Sequence, residues 1–125
     1  MKIFNDNWKE KGFTLIEVLI VVGIVGILAC IAFPTFATYK TKALDSTAIA
    51  DLRNAAAAQE AYYIDNDTYS PSLANLEASP YNFLLSDEVI ITVTTADTSG
   101  YQMSAVHSGS GKVFTLSGPG GVFSD

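Results

Sequence analysis

The stretch FTLIEVLIVVGIVGILACIAF, residues 13–33, decides the architecture of this chain of 125 residues. It contains one charged residue, Glu17, and is long enough to cross the hydrocarbon core of a bilayer as an α-helix. Its fourteen Leu, Ile, Val and Phe residues favour insertion by about 6 kcal/mol in total, whereas one carboxylate costs at most about 3 kcal/mol. The sequence therefore predicts a membrane-spanning helix.

The charges of the chain are unevenly distributed around this helix. Lys9 and Lys11 lie just before its apolar boundary, which places the N-terminus on the cytoplasmic side of the membrane. The formal net charge of the whole chain is −6, and the part after the apolar run contains no basic patch. This distribution argues against nucleic-acid binding through a charged surface.

Three kinds of N-terminal segment compete to explain the apolar run. A secretory signal has an apolar region of about 7–15 residues that ends at a small-residue cleavage site, and this run is too long for that. A lipoprotein signal is suggested by residues 27–30, ILAC, in which Cys30 would carry the lipid. A carboxylate inside such a signal is unexpected. The third explanation is a leader that is cut before the apolar run, so that the mature protein keeps the helix.

The third explanation has a specific match. Residues 11–17, KGFTLIE, closely resemble the signature of type IV prepilins, and the resemblance continues through Pro34. It implies that a prepilin peptidase cuts between Gly12 and Phe13 and then N-methylates Phe13. It also implies a subunit that polymerises with its own copies, and an inner-membrane assembly platform with an ATPase. The precursor would lie in the bacterial inner membrane and the product in an extracellular filament.

The same resemblance assigns an assembly role to the buried carboxylate. Glu17 follows Phe13 by four residues, about 6 Å along a helix. In a bundle of copies, Glu17 of one subunit meets the Phe13 amine of another, and a low dielectric makes that pairing strong and selective for register. Gly26 and Pro34 are poor helix formers, so the segment between them is expected to be the weakest part of the helix.

The rest of the chain predicts an α+β fold, in which the long helix packs on a small antiparallel sheet of three to four strands. Helical spacing of Leu44, Ala48, Leu52, Ala55 and Gln59 predicts that the helix continues to about residue 65. Strands are predicted at residues 89–94, 101–106 and 112–116, followed by an irregular tail. The predicted segments are a leader (1–12), a membrane helix (13–34), its amphipathic continuation (35–66), a connecting loop (67–87) and the sheet with its tail (88–125).

Catalytic and metal-binding chemistry is not predicted. The chain has one histidine, His107, and no nucleophile, phosphate-binding or zinc motif, so we expect neither an enzyme nor a cofactor. The leading hypothesis is a structural subunit of a type IV pilus. The alternatives are a pseudopilin of a type II secretion system and a membrane-anchored binding protein that does not polymerise. The sequence does not choose among adhesion, motility, DNA uptake and electron transfer as the role of such a filament.

Overall fold

A computed structural model describes residues 11–124 of the chain. The predicted leader therefore lies outside the described residues except for Lys11 and Gly12. The chain divides into two compact units, Met1–Ala37 and Thr38–Asp125. Helix α1 spans Leu15–Asn66, so the predicted helix is confirmed, although it begins two residues after Phe13.

The first unit is a helical segment with uncovered apolar side chains. The large apolar residues between Phe13 and Phe33 are 48–88% exposed. By length and composition, α1 qualifies as a helix that can cross a membrane, and none of its most apolar window is buried in the chain itself. Pro34 lies inside the helix, which continues through it without interruption. A helix that is apolar on every side must be covered by lipid or by other helices.

The second unit contains a four-stranded antiparallel meander in the order β1-β2-β3-β4. The strands span Val89–Ala96, Tyr101–His107, Val113–Gly118 and Val122–Ser124. The three predicted strands are present. Each ends one or two residues later than the sequence indicates, and β3 also begins one residue later. Residues 118–121, which the sequence predicts to be irregular, form a turn apart from Gly118, and the fourth strand of the predicted three to four is β4, which pairs with β3 through Leu116 and Phe123.

The core of the second unit lies between α1 and one face of the sheet. Its helical side consists largely of alanines and Leu52, and its sheet side includes Met103 and Leu116, which are at most 1% exposed. The helix contributes mainly small side chains to this core, and larger side chains of the sheet and of the connection complete it. The helical face predicted from the spacing of Ala48, Leu52 and Ala55 is therefore the buried face.

The connection between α1 and the sheet is fixed to α1 by two buried polar side chains. Gln59 is fully buried, and its side-chain amide both donates to the Ser70 carbonyl (2.8 Å) and accepts from the Ser70 N–H (2.7 Å). The Asp51 carboxylate accepts from the backbone N–H and the hydroxyl of Ser86, at 2.8 and 2.9 Å. Between these two anchors a short helix, α2, spans Leu73–Glu77 within the stretch that the sequence treats as a loop.

Aromatic rings close the far end of this core. The Tyr69 ring lies 4.6 Å from that of Tyr63 and 4.7 Å from that of Tyr101, between centroids. Gly118 is required opposite this cluster, because a Cβ at its position would lie 2.0 Å from the Tyr101 ring. The Tyr69 hydroxyl donates to Glu60, whereas the Tyr101 hydroxyl is buried and makes no hydrogen bond of standard geometry within the described residues.

We expect the buried phenol of Tyr101 to lose its proton at a higher pH than an exposed tyrosine does. Burial, followed by the negative charge of Glu60, raises the pKa of Tyr101 to about 12, whereas an exposed tyrosine has a pKa of about 10. Between these pH values the unfolded chain loses the proton and the folded chain keeps it, so the free energy of unfolding should fall as the pH rises. Burial also raises the pKa values of Tyr69 and Tyr81, so a titration followed by phenolate absorbance should show several transitions above the usual range, and Tyr101→Phe should remove one near pH 12. Loss of an early transition instead would contradict this assignment.

Candidate functional site: the start of the membrane helix

The segment that carries the predicted processing site is exposed and precedes the helix. Residues 11–14 form no regular secondary structure, and α1 begins at Leu15. Gly12 is exposed, and a Cβ built on it would meet nothing within 4 Å. Phe13 is 88% exposed. The peptide bond between Gly12 and Phe13 therefore lies before the first turn of α1.

Thr14 and Glu17 form a reciprocal cap on the first turn of α1. The Thr14 N–H donates to Glu17 Oε2 at 2.7 Å, and the Glu17 N–H donates to Thr14 Oγ1 at 3.3 Å. This arrangement is a capping box, which satisfies two backbone N–H groups that a helix start otherwise leaves without partners. The capping box was not predicted from the sequence, although a Thr followed three residues later by a Glu before an apolar run is its usual signal.

The capping box determines which part of Glu17 remains available. It uses one carboxylate oxygen, Oε2, and within residues 11–124 no hydrogen bond uses the other, Oε1. The negative charge lies in the first turn, near the positive end of the helix dipole. Around it the exposed side chains are Phe13 and apolar residues of the following turns. Glu17 thus presents one free acceptor oxygen on an otherwise apolar surface.

The predicted helix-weakening residues lie further along the same helix. Gly26 has no side chain and no neighbour within 4 Å of an added Cβ, so the chain itself does not need a glycine there. Pro34 lacks the N–H that a regular helix would use, and the adjacent Thr35 hydroxyl donates to the Ile31 carbonyl at 3.0 Å. Both residues are distant from the capping box in sequence, and both belong to the part of α1 that the chain leaves uncovered.

No group of three or more His, Cys, Asp or Glu side chains that could hold a metal ion occurs among the described residues. His107 is buried at the end of β2, and its Nδ1 accepts from the Gly109 N–H at 3.0 Å, so it stabilises the turn between β2 and β3. The lone Cys30 is exposed within the apolar segment. The chemically distinctive residues of this chain are therefore those at the start of α1.

Comparison with known proteins identifies this N-terminal region. A family model described as a prokaryotic N-terminal methylation motif matches residues 9–33. The chain is also 36% identical, over 118 residues, to the protein named as the type IV wide pilus major component PilA4 of Thermus thermophilus. That match covers 90% of this chain and 86% of the relative. The chain belongs to the type IV pilin family. A type IV pilin is a structural subunit, and the uncovered apolar helix and the α+β fold both agree with that assignment.

Proposed function

We propose that this chain is a major subunit of a type IV pilus, made as a membrane precursor and matured by a prepilin peptidase. In this proposal the peptidase cuts between Gly12 and Phe13 and methylates the new amine of Phe13. The exposed peptide bond before the helix supports the position of the cut. The relative in Thermus thermophilus is named as a major pilus component, which favours a pilus subunit over a secretion pseudopilin.

The carboxylate of Glu17 is proposed to join neighbouring subunits. Its Oε1 is free to accept a hydrogen bond from the positively charged Phe13 amine of a second copy and so to form an ion pair with it, while Oε2 stays in the capping box. Water is excluded when many apolar helices pack together, so this pair becomes strong and penalises every register in which the charge lacks a partner. The single observation that carries the proposal is this lone carboxylate on an exposed apolar helix.

Assembly partners follow from the same proposal. The helix is held in the inner membrane until an assembly platform and its ATPase move the subunit into an extracellular filament. The chain itself supplies structure and no catalysis, which agrees with the structural role of its family. The segment from Gly26 to Pro34 is proposed to give the filament core local flexibility, because Gly and Pro are the least favourable helix residues.

The intact mass of the protein in filaments sheared from the cell tests this function. We expect the mass of residues 13–125 plus one methyl group, because cleavage, methylation and export must all occur to give that species. A Gly12→Ile variant is the control, and its unprocessed precursor should accumulate in the membrane and be missing from the sheared fraction. A processed chain that stays in the membrane would point to the pseudopilin, and a lipidated N-terminal Cys30 would contradict the filament altogether.

A further inference from the structure

Three residues that follow the uncovered apolar segment place charge and an aromatic ring on the surface of α1. Tyr39 is 65% exposed, and Lys40 and Lys42 are exposed beside it. The Lys42 ammonium lies over the Tyr39 ring, 5.9 Å from its centroid. Tyrosine and lysine are residues that hold a helix at the level of lipid headgroups, because each combines an apolar body with a polar end. We call Tyr39, Lys40 and Lys42 the collar.

The collar differs in charge from the rest of its unit. The unit Thr38–Asp125 contains ten acidic and four basic residues, and two of the four are Lys40 and Lys42. The other two, Arg53 and Lys112, lie further along the chain. An anionic lipid surface therefore attracts the first five residues of this unit and repels most of the remainder. The collar is thus the part of the unit that is suited to phosphate headgroups.

The length of helix between Glu17 and the collar matches the thickness of a bilayer. Residues 18–37 of α1 carry no charge, and a helical segment of this length extends over about 30 Å. The hydrocarbon core of a bilayer is also about 30 Å thick. A helix that places residues 18–37 in this core has Glu17 at one headgroup level and the collar at the other.

The apolar run itself, residues 13–33, permits a second placement, which the side chains disfavour. It puts Glu17 about 6 Å inside the hydrocarbon core, where a carboxylate is unfavourable. It also leaves Phe36, which is 70% exposed, in water. In the first placement only one hydroxyl enters the core, that of Thr35, and it already donates to the Ile31 carbonyl at 3.0 Å, so it needs no water. The first placement is therefore favoured.

We propose that the collar binds the phosphate groups of anionic lipids in the leaflet on the far side of the membrane from the N-terminus. Residues 18–37, and not residues 13–33, then cross the hydrocarbon core. The bond between Gly12 and Phe13 lies outside the core in this placement, among the headgroups of the cytoplasmic leaflet. The inference rests on the proposed membrane precursor, and it does not depend on how the mature subunit polymerises.

Cysteine labelling with a membrane-impermeant maleimide on both faces of the bilayer tests the placement. The full-length precursor is reconstituted in vesicles of phosphatidylcholine and phosphatidylglycerol. In a Cys30→Ala background, Phe36→Cys should label at least about tenfold more slowly than Ala43→Cys, because residue 36 lies in hydrocarbon and residue 43 in water. Ile16→Cys, at the opposite headgroup level, should label readily. The parent chain is the matched control, since its Cys30 should be protected.

The outcomes separate this inference from the proposed function. Labelling of Phe36→Cys as fast as that of Ala43→Cys, or protection of Ile16→Cys, would overturn the placement and leave the pilin function intact. Rapid labelling of Cys30 in the parent would mean that α1 does not cross the membrane. That result would contradict the membrane precursor as well.

Lipid-selective quenching of fluorescence tests the partner of the collar. Tyr39→Trp in a Trp8→Phe background leaves one tryptophan, and Trp keeps the preference of Tyr for the membrane interface. In bilayers of equal parts phosphatidylcholine and phosphatidylglycerol, brominated phosphatidylglycerol should quench this residue at least about threefold more strongly than brominated phosphatidylcholine, because each lysine favours an anionic surface by about fivefold.

The matched control for this preference adds Lys40→Gln and Lys42→Gln, and both brominated lipids should then quench equally. Equal quenching in the chain that keeps both lysines would overturn the binding of anionic headgroups. A preference for phosphatidylglycerol that persists without the lysines would overturn their role in it.

Discussion

Replacing Glu17 with Ala should abolish filament assembly while leaving membrane insertion and processing unchanged. Insertion is driven by the apolar residues around position 17, and removing a carboxylate from them can only favour it. Assembly should fail because the Phe13 amine of each neighbour is then buried without its partner, which costs about 3–5 kcal/mol at a broken buried pair. That cost corresponds to a loss of roughly a hundredfold to several thousandfold in each association step. Immunoblots of the sheared and membrane fractions measure both quantities.

Two further variants separate the charge of Glu17 from its capping role. Glu17→Gln keeps an oxygen that can accept from the Thr14 N–H but has no charge, so it should fail to assemble as Glu17→Ala does. Thr14→Ala keeps the charge and removes the hydroxyl that accepts from the Glu17 N–H, a loss of about 1 kcal/mol of helix stability. It should still form filaments. If Thr14→Ala failed and Glu17→Gln assembled, the capping box and not the charge would carry the role of Glu17.

Elements with a long, regular pattern could be predicted from the sequence. The apolar run at residues 13–33 has the length and composition of a membrane-spanning helix, and the helical spacing that continues to Gln59 marks the face that is buried against the sheet. The β-branched and alternating runs gave three strands at their observed positions. In a strand every second side chain must be buried, and in a helix one face must be buried. Apolar residues therefore recur in the sequence with the period of that element.

Short elements escaped prediction because their stability comes from contacts distant in sequence. Strand β4 has three residues. It is stabilised because Phe123 packs next to the core and because the Arg53 guanidinium lies over the Phe123 ring, 5.3 Å from its centroid. Helix α2 has five residues and is fixed by the buried Leu76. No local periodicity is measurable over so few residues. Asp51 lies at a position of the helical pattern where polar residues are usually assigned to solvent. The pattern does place Gln59 on the buried stripe, but it gives no sign of its partner, Ser70.

The candidate site was predicted in its residues but not in its geometry. The spacing of Gly12, Phe13 and Glu17 follows a signature that can be read directly from the sequence, whereas the distribution of the two Glu17 oxygens depends on the rotamer of one side chain. The groove between α1 and residues 81–84 was likewise not predicted, because residues 81–84 return to α1 only after Gln59 and Asp51 have fixed the connection. The buried polar anchors therefore shape a surface on the outside of the fold.

Replacing Gln59 with Leu should accordingly destabilise the second unit more than most single changes. Leu has a similar volume, but it leaves the Ser70 N–H and carbonyl buried without the partners that lie 2.7 and 2.8 Å away in the parent. Each unsatisfied group costs about 1–3 kcal/mol, so the loss is about 2–6 kcal/mol. Small domains are stable by about 5–15 kcal/mol, which makes this a large share of the total.

Chemical unfolding of the full-length protein in detergent measures this loss. Near-ultraviolet circular dichroism of tyrosine is the suitable signal, because Tyr63, Tyr69 and Tyr101 pack together next to Ser70 and report on this unit rather than on the membrane helix. Asn54→Leu is the matched control, since it replaces an exposed amide on the same helix and should change the free energy of unfolding by at most about 0.5 kcal/mol. Equal stabilities of the two variants would mean that water or another donor satisfies Ser70, and that Gln59 does not fix the connection to α1.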